Sequence, residues 1–235
     1  METNIKAWWL GHSAFKLESQ NGTVIYIDPF LSQNPTTPDE FKQPEDADII
    51  LLTHGHEDHV GDTLDIASKT GCKVVAQVEL SHLLKKHGLE EDQRMEFNKG
   101  GTIDFEDFSV TLVNANHSSS FKGEYAGEAA GLILSFEDDI AFYHMGDTNI
   151  FSDLEIYREI YQPHVVAVPM GDHYTMGPQE AAICCEMLNP KLALPIHYGT
   201  FPVLTGDPEE FKSFTEEYCD AEVAIPEAGE QFLGN

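Results

Sequence analysis

The chain is poor in basic residues. Thirteen Lys and Arg, of which only Arg94 and Arg158 are Arg, stand against 41 Asp and Glu, giving a formal charge of −28 over 235 residues. A field of that sign repels polyanions, so nucleic acid is not an expected partner. Cysteine is scarce too. Cys72, Cys184, Cys185 and Cys219 form no C-x-x-C pair, and adjacent cysteines seldom bridge to each other. The pattern reads as a reduced, cytoplasmic protein rather than a disulfide framework. No apolar run approaches the roughly 18 residues that span a bilayer, and the N-terminus enters Ile5-Lys6-Ala7-Trp8-Trp9-Leu10 without a charged-then-apolar leader. Neither a membrane nor a secretory route is expected. Short-period repeats, low-complexity tracts and flexible linkers are also missing, while hydrophobic residues make up 41%. One domain over residues 1–235 is the expected organisation.

What is present is histidine in a pattern. The apolar run Asp48–Thr53 leads straight into His54-Gly55-His56-Glu57-Asp58-His59. Alternate side chains of an extended segment face the same side, so His54 and His56 can reach one ion. Asp58 and His59 then turn towards a different position, suited to a second ion. Gly55 is read as the residue that lets the backbone bend, Gly61 as the one that lets it leave, and Glu57 as solvent-facing. Three further strand patterns end in donors: Val110–Asn114 before His117, Ile140–Tyr143 before His144 and Asp147, and Leu192–Pro195 before His197. Donors at the ends of several strands can converge at one edge of a sheet sandwich.

Strands are also expected at Ile5–Leu10, Ala14–Glu18 and Thr23–Asp28, with a hairpin at Asn21-Gly22. Residues 29–47, with four prolines, read as a long functional loop. From Asp48 the pattern alternates strand and helix (helices at Asp62–Lys69 and Glu79–His87, a strand at Cys72–Ala76), which predicts parallel pairing. Strands follow at Thr102–Phe105, Ser109–Asn114, Gly131–Phe136 and Ile140–Tyr143. The last third alternates again: helices at Asp153–Tyr161, Pro178–Leu188 and Pro208–Tyr218 with strands at Val165–Pro169, Lys191–Pro195 and Glu222–Ile225.

With these landmarks in order, the chain resembles the metallo-β-lactamase superfamily over nearly its whole length. The residues that carry the resemblance are Asp28 after an early strand, the H-x-H-x-D-H loop, the lone His117, Asp147 in Gly146-Asp147-Thr148, and the late His197. Gly11-His12-Ser13, Asp28-Pro29-Phe30-Leu31 and Thr175-Met176-Gly177-Pro178 look like a branch known only as metal-dependent hydrolases, a branch similar also to L-ascorbate-6-phosphate lactonase. The resemblance implies an α/β fold, a four-layer αβ/βα sandwich, with two divalent metal ions at one edge. His54, His56 and His117 would hold the first ion, Asp58, His59 and His197 the second, and Asp147 would bridge them. The set is purely N/O, which suits Zn²⁺ and also Mn²⁺ or Fe.

The implied reaction is hydrolysis: a metal-bridged hydroxide attacks a small-molecule ester, lactone or phosphodiester, with Asp58 as the catalytic residue that orients the nucleophile and shuttles a proton. Asp28 would orient the histidine loop from beneath, and His144 reads as a buried supporting residue. His12 and His173 are candidate substrate contacts. Tyr198 could stabilise an oxyanion, although packing is its plainer role. Two other readings are a metabolite- or metal-sensing protein on the same scaffold, and a nuclease or cyclic-dinucleotide phosphodiesterase, which would need a basic groove. Substrate, native metal and oligomeric state are not written in the sequence.

Overall fold

A computed structural model describes residues 3–234. Its strands are β1 (Lys6–Trp9), β2 (Phe15–Glu18), β3 (Val24–Ile27), β4 (Ile49–Leu51), β5 (Lys73–Gln77), β6 (Arg94–Phe97), β7 (Thr102–Asp104), β8 (Phe108–Asn114), β9 (Ser120–Phe121), β10 (Glu124–Tyr125), β11 (Ala130–Phe136), β12 (Ala141–His144), β13 (Val165–Pro169), β14 (Leu192–Ile196), β15 (Glu222–Val223) and β16 (Gln231–Leu233). The helices are α1 (Glu57–Val60), α2 (Thr63–Thr70), α3 (Val78–Lys86), α4 (Leu154–Tyr161), α5 (Pro178–Leu188) and α6 (Pro208–Tyr218).

Two seven-stranded sheets result, in the orders β16-β1-β2-β3-β4-β5-β6 and β15-β14-β13-β12-β11-β8-β7. Each is half antiparallel and half parallel. The β2–β3 hairpin turns at Asn21-Gly22 as expected, with Gly22 at φ +88°. From β3 through β6 the pairing is parallel, because the long loop between Ile27 and Ile49 and then α2 and α3 provide the crossovers. The second sheet changes from antiparallel to parallel at β12, where α4 and α5 begin to supply the connections.

The alternation of apolar residues decides the layers. Ile25, Ile27, Ile49, Leu51 and Val75 face inward, against Leu112, Leu132, Leu134, Ala167 and Leu194 of the opposite sheet. Tyr26, Ile50, Val74 and Ala76 point the other way, onto Ile66, Ala67, Leu80 and Leu84 of α2 and α3. Val166, Val168 and Ala193 likewise pack outward on α4, α5 and α6 through Leu154, Cys184, Leu188 and Phe211. Strands covered on both faces need continuous apolar runs, and VVAVP and LALPI are such runs. The architecture is the expected αβ/βα sandwich.

The differences from expectation lie at the edges. β6, of sequence Arg-Met-Glu-Phe, is a charged edge strand without an apolar run to announce it. β16 is three residues long and pairs with β1 at the opposite end of the chain. The C-terminal segment thus closes the N-terminal sheet, so the two halves are stitched together by topology. The β9–β10 hairpin is also new, and it packs over the histidine loop.

Candidate metal centre

β4 ends at Leu51, and the backbone bends at Thr53 and at Gly55 before the single turn of α1. That turn swings Asp58 and His59 away from His54 and His56, as the spacing predicted. The backbone bends at Gly55 as expected, and the glycine has a second reason. Its φ is not in the left-handed region, but a Cβ there would lie 2.5 Å from Ala126 Cβ and 3.2 Å from the backbone of Ser120. The glycine admits the β9–β10 hairpin, and its N–H donates to Ser119 Oγ at 3.1 Å.

The donors fall into two groups, His54, His56, His117 and Asp147 in one and His12, Asp58, His59 and His197 in the other, the donor atoms of each lying within 4.8 Å of one another. Asp147 sits between them. Its Oδ2 is 3.8 Å from His54 Nε2, 3.5 Å from His117 Nε2 and 3.1 Å from His197 Nε2, while its Oδ1 is 3.3 Å from His59 Nε2. Buried polar groups almost always have hydrogen-bond partners. Here Asp147 Oδ1, His59 Nε2 and both ring nitrogens of His197 are buried without one. Convergent, unpartnered N and O atoms fit a pair of divalent cations.

Protonation points the same way. Burial works against the charge on Asp147, but His197 and His59 outweigh it and hold the carboxyl well below its usual range. Burial also opposes the charge on Asp58, but His12 and His59 beside it outweigh that and bring its pKa down. Burial lowers His54 far below an ordinary imidazole, and His12 to about 4 with the neighbouring charge of His197 adding to the effect. These are the ligating forms, anionic carboxylate and neutral imidazole. His59 is the exception: burial opposes its charge, but Asp147 and Asp28 raise its pKa well above normal. Cation binding there has to displace a proton.

Asp28 does what its place in the sequence suggested. Oδ1 accepts from the Thr53 backbone N–H at 2.9 Å, and Oδ2 accepts from Thr53 Oγ1 at 2.6 Å and from His59 Nδ1 at 2.7 Å. His59 Nε2 is thereby aimed at Asp147. Thr53, which sequence reasoning did not single out, extends the arrangement: with its proton on Asp28, its oxygen accepts from His54 Nδ1 at 3.0 Å and leaves His54 Nε2 facing the site. The one signal for Thr53 is its position, a hydroxyl at the strand end directly before the histidine loop. Replacing Asp28 by Asn keeps a residue that tolerates the φ of +45° found there but removes the anionic acceptor. Metal affinity is expected to fall 10–100-fold, measured by isothermal titration of metal-free protein.

His144 is fully buried, and both its nitrogens are used: Nε2 donates to Ser13 O at 2.9 Å and Nδ1 accepts from Gly146 N–H at 3.1 Å. It braces the turn that carries Asp147. Tyr198 stacks on Trp9, with ring centroids 5.4 Å apart, and burial pushes its hydroxyl up to about 12. It is a packing residue. His173 is exposed, its ring resting edge-on against Tyr174, and it belongs to neither donor group. His12 is 0% exposed and lies inside the second donor group, so it has no surface to offer a substrate.

Beside Asp58 opens a cleft of about 590 Å³. Phe30 from the long early loop, Phe121 from the β9–β10 hairpin and Phe201 from the loop after His197 give it apolar walls. Glu57, Asp62 and Asp65 make its rim acidic, and Lys122 is the cation among the lining residues. Glu57 is exposed, as expected, but it faces this cleft. The loop at 171–177 contributes nothing to the lining.

Two mixed sheets between helical layers, with N/O donors collected at strand ends on one edge, define the metallo-β-lactamase class of fold. Residues 6–197 match the model of the Beta-lactamase superfamily domain. The chain belongs to that superfamily, among its metal-dependent hydrolases. It is 45% identical over 226 residues to a UPF0173 metal-dependent hydrolase of Koribacter versatilis, an alignment covering 94% of this chain and 96% of that one. The structure of Igni18, a metallo hydrolase from Ignicoccus hospitalis, superposes with a TM-score of 0.86 at 36% identity, covering 97% of each chain. An isothiocyanate hydrolase from Delia radicum gut bacteria, at 18% identity, TM-score 0.76 and coverage of 97% of this chain and 98% of that one, shares the fold. No helix among the described residues is long and apolar enough to cross a membrane.

Proposed function

We propose that the chain acts, as one catalytic domain over residues 1–235, as a binuclear hydrolase of small uncharged esters or lactones. Its first ion is held by His54, His56 and His117, its second by Asp58, His59 and His197, with Asp147 shared. The observation that carries this reading is the Asp147 carboxylate, buried among four imidazoles, with Oδ2 within 4 Å of His54 and His117 of the first group and His197 of the second, and Oδ1 beside His59. Two oxygens of one carboxylate can span ions about 3.5–4 Å apart. Zn²⁺ is the first choice for such N/O donors, with Mn²⁺ or Fe as alternatives.

When bound, the ions supply Lewis acidity and lower the pKa of a coordinated water towards about 7. The residues do the rest. Asp58 is the donor-group residue that lines the cleft, its side chain 28% exposed, so its carboxylate oxygen is the one that can take a proton from the attacking water and pass it to a leaving group. Phe30, Phe121 and Phe201 bind the apolar part of the substrate and keep bulk water from it. The acidic rim disfavours phosphodiesters and nucleic acid, since one lysine faces Glu57, Asp62 and Asp65 besides Asp58. The four free cysteines support a reducing compartment, the cytoplasm, as the location.

Metal-free protein titrated with Zn²⁺ or Mn²⁺ should take up two equivalents per chain, and hydrolysis of aryl esters and aryl-substituted lactones should rise with the second. Saturation at one equivalent sinks the two-ion reading. Turnover confined to phosphodiesters sinks the substrate class and leaves the ions untouched.

A further inference from the structure

One imidazole of the two donor groups remains when the seven-residue set is filled. We propose that His12 is an eighth metal donor, binding the second ion through Nε2 beside Asp58, His59 and His197; this inference rests on the two-ion reading above and adds a ligand to it.

Hydrogen bonding fixes the ring. Thr200 Oγ1 reaches both Tyr198 O at 3.3 Å and His12 Nδ1 at 3.0 Å; with its proton assigned to the carbonyl, which can only accept, it offers His12 a lone pair. Nδ1 therefore carries the proton, and in the neutral ring Nε2 presents a lone pair. That lone pair lies 3.1 Å from Asp58 Oδ2, on a ring with no exposure to solvent. Two acceptors facing each other repel, and a cation shared between them turns the repulsion into ligation. His54 is prepared in the same manner: Thr53 commits its proton to Asp28, takes the proton of His54 Nδ1 and frees Nε2 for the first group. Each group thus contains a histidine whose tautomer is set by a threonine hydroxyl that has given its own proton away.

The backbone supports the same role. His12 holds a left-handed φ of +54°, and His197 one of +60°. A non-glycine residue in that region is strained and persists where its surroundings over-determine it. Here the His12 carbonyl accepts from the His197 backbone N–H and from Trp9 Nε1, both at 3.0 Å, locking the two histidines to each other. Their rings lie 4.0 Å apart between centroids. Phe30 and Phe201 meet the His12 ring at 6.0 and 5.5 Å and separate it from the cleft.

The test is metal binding, read without turnover. His12→Gly removes the ring and suits the local φ. Metal-free variant and wild type are titrated with Co²⁺ by calorimetry and visible absorbance, with circular dichroism melts of the metal-free proteins as a folding control. The expected result is an unchanged first equivalent and a second weakened at least tenfold, restored by millimolar imidazole occupying the vacated space. Thr200→Val, which leaves the ring but takes away the acceptor at Nδ1, should weaken the second equivalent several-fold, and it carries the test alone if the glycine variant does not fold. Two equivalents of wild-type affinity in both variants would overturn the proposal and reduce His12 to a residue that positions Asp58. Failure of the wild type itself to bind two ions would instead remove the reading on which the proposal stands.

Discussion

Asp147→Ala should abolish stoichiometric binding of both ions and lower kcat/KM on the order of 10³-fold, equivalent to about 4 kcal/mol of transition-state stabilisation. No other side chain among the described residues lies within 4 Å of imidazoles from both donor groups through two different oxygens. Removing it leaves His54, His59, His117 and His197 around a space with no anion in it, so two dications would sit together with less charge between them. His56→Ala provides the contrast. It takes one donor from the first group alone, and should weaken one equivalent while sparing the other. Metal content after dialysis and activity on the best ester, measured together, decide the matter. Full metal content and full activity in Asp147→Ala would end the shared-carboxylate model.

Gly171→Ala should be the most destabilising single methyl addition near the site. A Cβ at Gly171 would stand 1.8 Å from the carbonyl oxygen of His197 and 2.9 Å from its carbonyl carbon. Neither atom is the end of a flexible side chain. The backbone after β14 would have to move, and it is the segment that carries His197 in its left-handed conformation. Overpacking against a rigid core costs about 1–3 kcal/mol, occasionally more, and contact with main chain puts this case at the upper end. For a chain of this length that corresponds to a fall in Tm on the order of 10 °C. The second metal equivalent should weaken in parallel, because His197 is displaced. Gly123→Ala is the control: it meets nothing within 4 Å and has a φ of +80°, so its cost is confined to the backbone, about 1–2 kcal/mol. Equal melting temperatures for the two alanine variants would refute the steric argument.

Much of this centre could be read along the chain. His54 and His56 share a side because an extended segment alternates. Asp58 and His59 depart from them because the chain turns, and α1 is that turn. Asp28 was legible as an acidic residue ending a strand, and it holds Thr53 and His59. His12 and His173 looked alike as lone histidines in glycine-containing loops, yet one is buried in the second donor group and the other is exposed beside Tyr174. Nothing local distinguishes them. The partner that sets the His12 ring is Thr200, 188 residues away, and a hydrogen bond over that separation leaves no trace in a window of neighbouring residues.

The same division applies to the fold. The continuous apolar runs of β3, β4, β13 and β14 are a local property, since a strand covered on both faces must show one within five residues, and they determined the layers and the class of fold. The residue types at the strand ends likewise determined that the donor set would be nitrogen and oxygen. Tertiary structure alone decided that β16 completes the first sheet, that Asp147 stands between two groups of donors, that His12 joins one of them, and that three phenylalanines from three separate loops wall one cleft. The physical reason is common to all four: each depends on contacts between segments far apart in the chain, whose energies are paid out only when the two sheets close on each other.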